Sequence, residues 1–93
     1  MNRKSALPFE AAPSLKDPKT RLQEALQAHG LALPIYTLTA VAGDPHVQSF
    51  TVSCEVPVLG MSAVGEGGSR RRAEQLAAAK LLDLLPSEMR KPG

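Results

Sequence analysis

The densest chemistry in the sequence lies where Gly65, Gly67 and Gly68 precede Ser69 and the triplet Arg70, Arg71 and Arg72. Ser69 is a good helix cap, and the free backbone amides of a helix start favour an anion. Gly67 and Gly68 let a phosphate come close to the backbone, while Arg70, Arg71 and, as a helper, Arg72 add positive charge. Such a site holds phosphate without reading a base. The competing reading is a solvated basic face. It is strengthened by the macrodipole, which disfavours cations at a helix N-terminus. The same penalty makes sense if an anion docks between the dipole and the arginines.

Two further groups carry polar atoms that folding alone does not require. Thr20, Gln23, Glu24 and Gln27 share one face of a helical stretch. Most such faces merely meet water. This one combines a hydroxyl, amides and a carboxylate that accepts from a ribose 2′-hydroxyl, short-reach groups suited to the wide, shallow minor groove of A-form RNA. The stretch Gly43-Asp44-Pro45-His46 is a turn. His46 in a hairpin is usually a turn residue, but at an exposed tip its imidazole reaches into a shallow groove.

The elements that must position these groups follow from local signals. Asp17 before Pro18 starts a helix over about 18 to 29, with Leu22, Ala25 and Leu26 on one face and Gly30 to end it. After Pro34, residues 35 to 42 alternate, with Tyr36, Leu38, Ala40 and Ala42 opposite Thr37, Thr39 and Val41, which predicts a strand. Residues 47 to 56 alternate again, with Phe50, Val52, Cys54 and Val56 against Thr51, Ser53 and Glu55. Pro57 and Gly60 bracket a turn before a short third strand over 61 to 66, which Gly65, Gly67 and Gly68 are expected to break. Residues 70 to 85, rich in Ala and Leu, predict a second helix with Ala73, Ala77, Leu81 and Leu84 along one face and Pro86 to stop it. The expected fold is α+β, in the order α-β-β-β-α: a three-stranded antiparallel sheet with both helices on one face and the other face wet.

Composition narrows the function classes. The chain has 93 residues, 43% hydrophobic and 22% charged, which is ordinary for one globular domain. A net charge of +2 does not by itself announce a nucleic-acid partner, so the placement of the arginines matters more than the sum. Cys54 is the sole cysteine, which rules out an intramolecular disulfide. Cys54, His29, His46 and the carboxylates have unsuitable spacings for zinc, and a reducing, cytoplasmic setting is expected. No apolar run reaches the roughly 18 residues of a membrane helix, so no membrane partner is expected. Residues 1–15 read as an N-terminal linker, residues 16–86 as the folded domain and residues 87–93 as a flexible tail.

Four segments occur in order: Lys16-Asp17-Pro18-Lys19-Thr20-Arg21-Leu22-Gln23-Glu24, then Pro34-x-Tyr36, then Pro45-His46-x-x-x-Phe50, then Gly65-x-Gly67-x-Ser69-Arg70-Arg71-Arg72-Ala73-Glu74-Gln75. Together they resemble the double-stranded RNA-binding domain of bacterial ribonuclease III. The resemblance implies that Thr20, Gln23 and Glu24 enter one minor groove, Pro45 and His46 the next, and Ser69, Arg70 and Arg71, helped by Arg72, the phosphates between, over about 16 base pairs. Two departures stand out. Glu74 occupies a position where many members of the wider family carry lysine, so phosphate binding should lean on Arg70 and Arg71. Ala25 replaces a common aromatic and makes a smaller packing contact.

The resemblance also implies a parent enzyme. Ribonuclease III cuts duplex RNA with metal ions, magnesium among them, held by carboxylates in a separate helical domain through which it dimerises. No such carboxylate signature is found here, and the nine acidic residues are too dispersed for a two-metal site. The expectation is therefore a binding module that is not an enzyme, needs no cofactor, takes double-stranded RNA as partner and is monomeric. The alternatives are a protein-interaction module of the same fold with little RNA binding, and a small nuclease in its own right.

Overall fold

The computed structural model describes residues 16–90, so the expected linker over 1–15 and residues 91–93 of the expected tail lie outside the described residues. Helix α1 (Pro18–Ala28) starts where the sequence signals it. The Asp17 carboxylate accepts from the Thr20 amide at 2.8 Å, and Pro18 occupies a first-turn position that needs no donor. The helix ends in a Schellman motif: the Leu31 amide reaches back to the Leu26 carbonyl at 2.9 Å and the Gly30 amide to Gln27 at 3.0 Å, with Gly30 left-handed at φ 69°. Leu22, Ala25 and Leu26 are buried.

Strands β1 (Ile35–Asp44), β2 (Val47–Val56) and β3 (Met61–Gly67) form an antiparallel sheet in the order β1-β2-β3, with a 3-10 turn, Pro57–Leu59, between the last two. Tyr36, Leu38, Val52, Cys54 and Val56 share the inner face, the last three buried. The even alternation expected along β1 does not survive its length. A bulge between Leu38 and Ala40 inserts one residue, so Ala40 pairs with outward-facing Thr51 while Val41 pairs with Phe50. One extra residue exchanges the faces of everything beyond it. β1 also runs two residues past the expected end at 42, so Asp44 pairs with Val47 and leaves Pro45-His46 as the hairpin turn. The Asp44 carboxylate accepts from the amides of His46 at 3.3 Å and Val47 at 3.1 Å.

Gly65 does not break β3. It pairs with Val52 inside the strand and is buried. A methyl group there would run into the Ala77 amide and the Ala73 carbonyl, so the missing side chain is what lets the next helix lie against the sheet. That helix, α2 (Arg70–Leu84), is capped by Ser69, whose hydroxyl accepts from the Arg72 amide at 3.1 Å. It buries Ala73, Ala77, Ala78, Leu81 and Leu82. Leu84, expected on the buried stripe, is 54% exposed, whereas Leu85 is buried. The reason is a change of neighbours along α2: Ala73 and Ala77 rest on Gly65, but Leu81 and Leu82 join Leu22, Leu26, Leu85 and Met89 in the core.

Met89 belongs to α3 (Ser87–Arg90), a short turn where a flexible tail was expected. Pro86 ends α2, but its carbonyl accepts from the Met89 amide at 2.9 Å and Met89 covers the end of the core. α1 and α2 lie on the inner sheet face. The outer face carries cross-strand rows such as Thr37, Ser53 and Val64.

Candidate nucleic-acid interface

The first turns of α1 and α2 are tied side by side. The Lys19 amide donates to Gln75 Oε1 at 3.0 Å. Glu74 binds Lys19 Nζ through Oε1 at 2.7 Å and Arg70 Nε through Oε2 at 3.2 Å. Lys19 Nζ also sits 4.8 Å from the centre of the Tyr36 ring, which links both helix starts to β1. The hydrogen bond from Lys19, with Arg70 behind it, holds the Glu74 carboxyl below its ordinary range despite partial burial. The Asp17 carboxyl is lowered too, mainly by the Thr20 amide it caps. Burial pushes the Tyr36 phenol up, and its hydroxyl has no hydrogen-bond partner among the described residues.

These contacts frame an open groove of about 660 Å³, lined by Asp17, Thr20, Gln23, Tyr36, Arg71 and Gln75 among others. Thr20 and Gln23, exposed on α1, thus face the same space as Arg71 from α2. Glu24 is exposed outside that lining, and its carboxylate is held by Lys16 Nζ at 2.9 and 3.1 Å. Both partners of that pair are about half exposed, so it holds Glu24 only loosely. Ser69 serves as the helix cap. Arg70 is engaged by Glu74, whereas Arg71 and Arg72 are exposed and form no ion pair among the described residues. Arg72 lies over Gly67, where an added methyl would approach its Cγ to 2.9 Å.

Pro45 and His46 stand apart from the groove, at the exposed hairpin tip. The last β2–β3 pair is Phe50 with Gly67, so Val47, Gln48 and Ser49 pair only with β1. The hairpin therefore projects beyond the end of β3 by three residues, roughly 10 Å at strand rise. The three expected contact regions consist of a groove at the paired helix starts, the arginine run that puts Arg72 over Gly67, and a hairpin tip reaching past the end of β3.

Lys19, Gln75 and Tyr36 were not singled out from sequence as site-forming residues. Lys19 and its partners Glu74 and Gln75 are 55 and 56 residues apart, and no local pattern joins them. The nearest signal was the absence of acidic residues from the first turn of either helix, which leaves cations there in need of a partner.

Residues 18–85 match the family model described as double-stranded RNA binding motif. Among curated relatives, the chain is 55% identical over 75 residues to ribonuclease 3 of Methylococcus capsulatus, covering 81% of this chain and 33% of that protein. It is 58% identical over 72 residues to ribonuclease 3 of Photobacterium profundum, covering 77% of this chain and 32% of that protein. The ribonuclease 3 of Vibrio cholerae is 53% identical over 72 residues, with the same two shares of 77% and 32%. The chain spans about a third of the length of the curated relatives it matches.

Proposed function

The chain belongs to the double-stranded RNA binding motif family, and from that membership we propose that it holds duplex RNA through three regions, with residues 16–86 as the RNA-binding unit. Thr20, Gln23 and Glu24 enter one minor groove, and Pro45 and His46 enter the next. Ser69, Arg70, Arg71 and Arg72 lie across the phosphates between, over about 16 base pairs. Recognition is by shape, because phosphate contacts position the protein without reading bases, and a 2′-hydroxyl is offered only by RNA. The observation that carries this reading is the common groove: Thr20 and Gln23 on α1 face the space that Arg71 enters from α2.

The larger reading is that this is the substrate-holding part of a ribonuclease III. In that reading the bond-breaking chemistry and its magnesium belong to another domain, dimerisation is mediated there, and the present unit binds as a monomer in the cytoplasm without cutting. Its support is the similarity to three ribonuclease 3 proteins over about a third of their length.

The test is a titration of the purified chain against duplex RNA, duplex DNA and single strands of one sequence at several salt concentrations. Duplex RNA should bind tightest, with affinity falling steeply as salt rises. Equal affinity for duplex DNA would refute the role of the 2′-hydroxyl. His46→Ala should weaken binding of duplexes long enough to reach the hairpin tip; an unchanged titration would return the turn to a purely structural part.

A further inference from the structure

Both oxygens of Glu74 are occupied by cations from the interface itself. Oε1 takes Lys19 Nζ at 2.7 Å and Oε2 takes Arg70 Nε at 3.2 Å. The Glu74 side chain is 15% exposed, so this is a half-sheltered pair and salt screens it less than a surface one. Lys19 is restrained further by the Tyr36 ring at 4.8 Å and by its own amide on Gln75 at 3.0 Å. Of the cations at the two helix starts, Lys19 and Arg70 are therefore turned toward a protein carboxylate, while Arg71, in the groove lining, and Arg72, over Gly67, are exposed and form no ion pair among the described residues.

We propose that Glu74 limits the grip of this interface on duplex RNA: by holding Lys19 and Arg70 it competes with the phosphate backbone for two cations and leaves Arg71 and Arg72 as the unrestrained part of the clamp. The proposal rests on the duplex binding proposed above. Phosphate contacts add affinity that is indifferent to sequence. Restraining them lets groove contacts from Thr20 and Gln23 weigh more in recognition, and lets a bound duplex leave sooner. Glu74 is a positioning residue in this scheme, acting through the two cations it holds.

The test is Glu74→Gln, which keeps the shape of the side chain and removes its charge. Association with duplex RNA should tighten on the order of fivefold at about 100 mM salt, and the slope of log K against log salt should steepen by about 0.9 for each cation that reaches a phosphate. In a Lys19→Gln/Arg70→Gln background the same change should have less than about a twofold effect, because the cations it acts through are gone. Thermal melting by circular dichroism checks that each variant is folded. As a measurement independent of Glu74→Gln, Arg71→Gln in the native chain should weaken binding by on the order of fivefold and Arg70→Gln by less, because the Arg70 guanidinium is already shared with Glu74. Unchanged or weaker binding by folded Glu74→Gln, a gain that persists in the double-substituted background, or equal losses from Arg70→Gln and Arg71→Gln would each overturn the proposal. Failure of the native chain to bind duplex RNA would overturn duplex binding itself, a distinct result.

Discussion

Replacing Gly65 by alanine adds one methyl group, and the structure indicates where it goes. Gly65 lies in β3 opposite Val52, and the new Cβ would collide with the Ala77 amide and the Ala73 carbonyl and lie 2.9 Å from the Ala77 Cα. These are backbone atoms of a helix, so no side-chain rotation relieves the clash. α2 must lift from the sheet, separating Ala73 and Ala77 from the surface that buries them. Overpacking a filled site costs about 1–3 kcal/mol, and a clash against rigid backbone belongs at the upper end, about 3 kcal/mol. For residues 16–90, a total stability of about 4–11 kcal/mol is typical. A loss near 3 kcal/mol should lower Tm by roughly 12–24 °C. The assay is thermal unfolding by circular dichroism, with Gly68→Ala as the control. Nothing lies within 4 Å of a methyl at Gly68, so its Tm should change little. A Gly65→Ala protein melting within about 4 °C of the native chain would refute the close approach of α2 to β3.

The other expectations concern charge, pH and burial. Arg71→Ala and Arg72→Ala should each flatten the salt dependence of RNA binding by about 0.9 in slope, read from titrations across a salt series. Asp17→Ala removes the cap of α1 and should cost about 1 kcal/mol in a urea or thermal melt near pH 7. The Asp17 and Glu74 carboxyls titrate below their ordinary values of 3.8 and 4.5 in the folded protein. In that window the unfolded chain binds more protons, so their stabilisation is present above the ordinary values and is lost as pH falls through the lowered ones. Tm should drop over that acid range, and less steeply in Asp17→Ala and Glu74→Gln. Cys54 is fully buried and burial pushes its thiol up, so iodoacetamide at neutral pH should label it only as the chain unfolds. Rapid labelling of the native protein would contradict its place in the core.

Much of this architecture was readable because its signals are local. Asp17-Pro18 and Gly30 bound α1, Ser69 starts α2, and alternation in β2 places Val52, Cys54 and Val56 inward, each through neighbours a few residues away. The candidate residues Thr20, Pro45-His46 and Arg70 to Arg72 stood out in the same way, as polar groups at element starts and turns. The main departures have a cause that is remote in sequence. The bulge after Leu38 is a relation between β1 and β2, and Met89 is buried because Leu22 and Leu26 leave an end of the core to cover. Gly65, expected to interrupt a strand, is a contact surface for a helix that follows it.

The amino-acid sequence by itself thus determined the order of elements, the inward face of most of them and the identity of the cationic turn, because backbone preference and hydrophobic period act over a few residues. Arg70 and Glu74 stand four residues apart on one helix, so that pair too is local. Tertiary structure alone decided that Lys19, 55 residues from Glu74, takes the other carboxylate oxygen, and that Arg71 opens onto the groove beside Thr20 and Gln23. A carboxylate bonds the cation that the packing of α1 on α2 brings within about 3 Å, and in that pair sequence distance has no part.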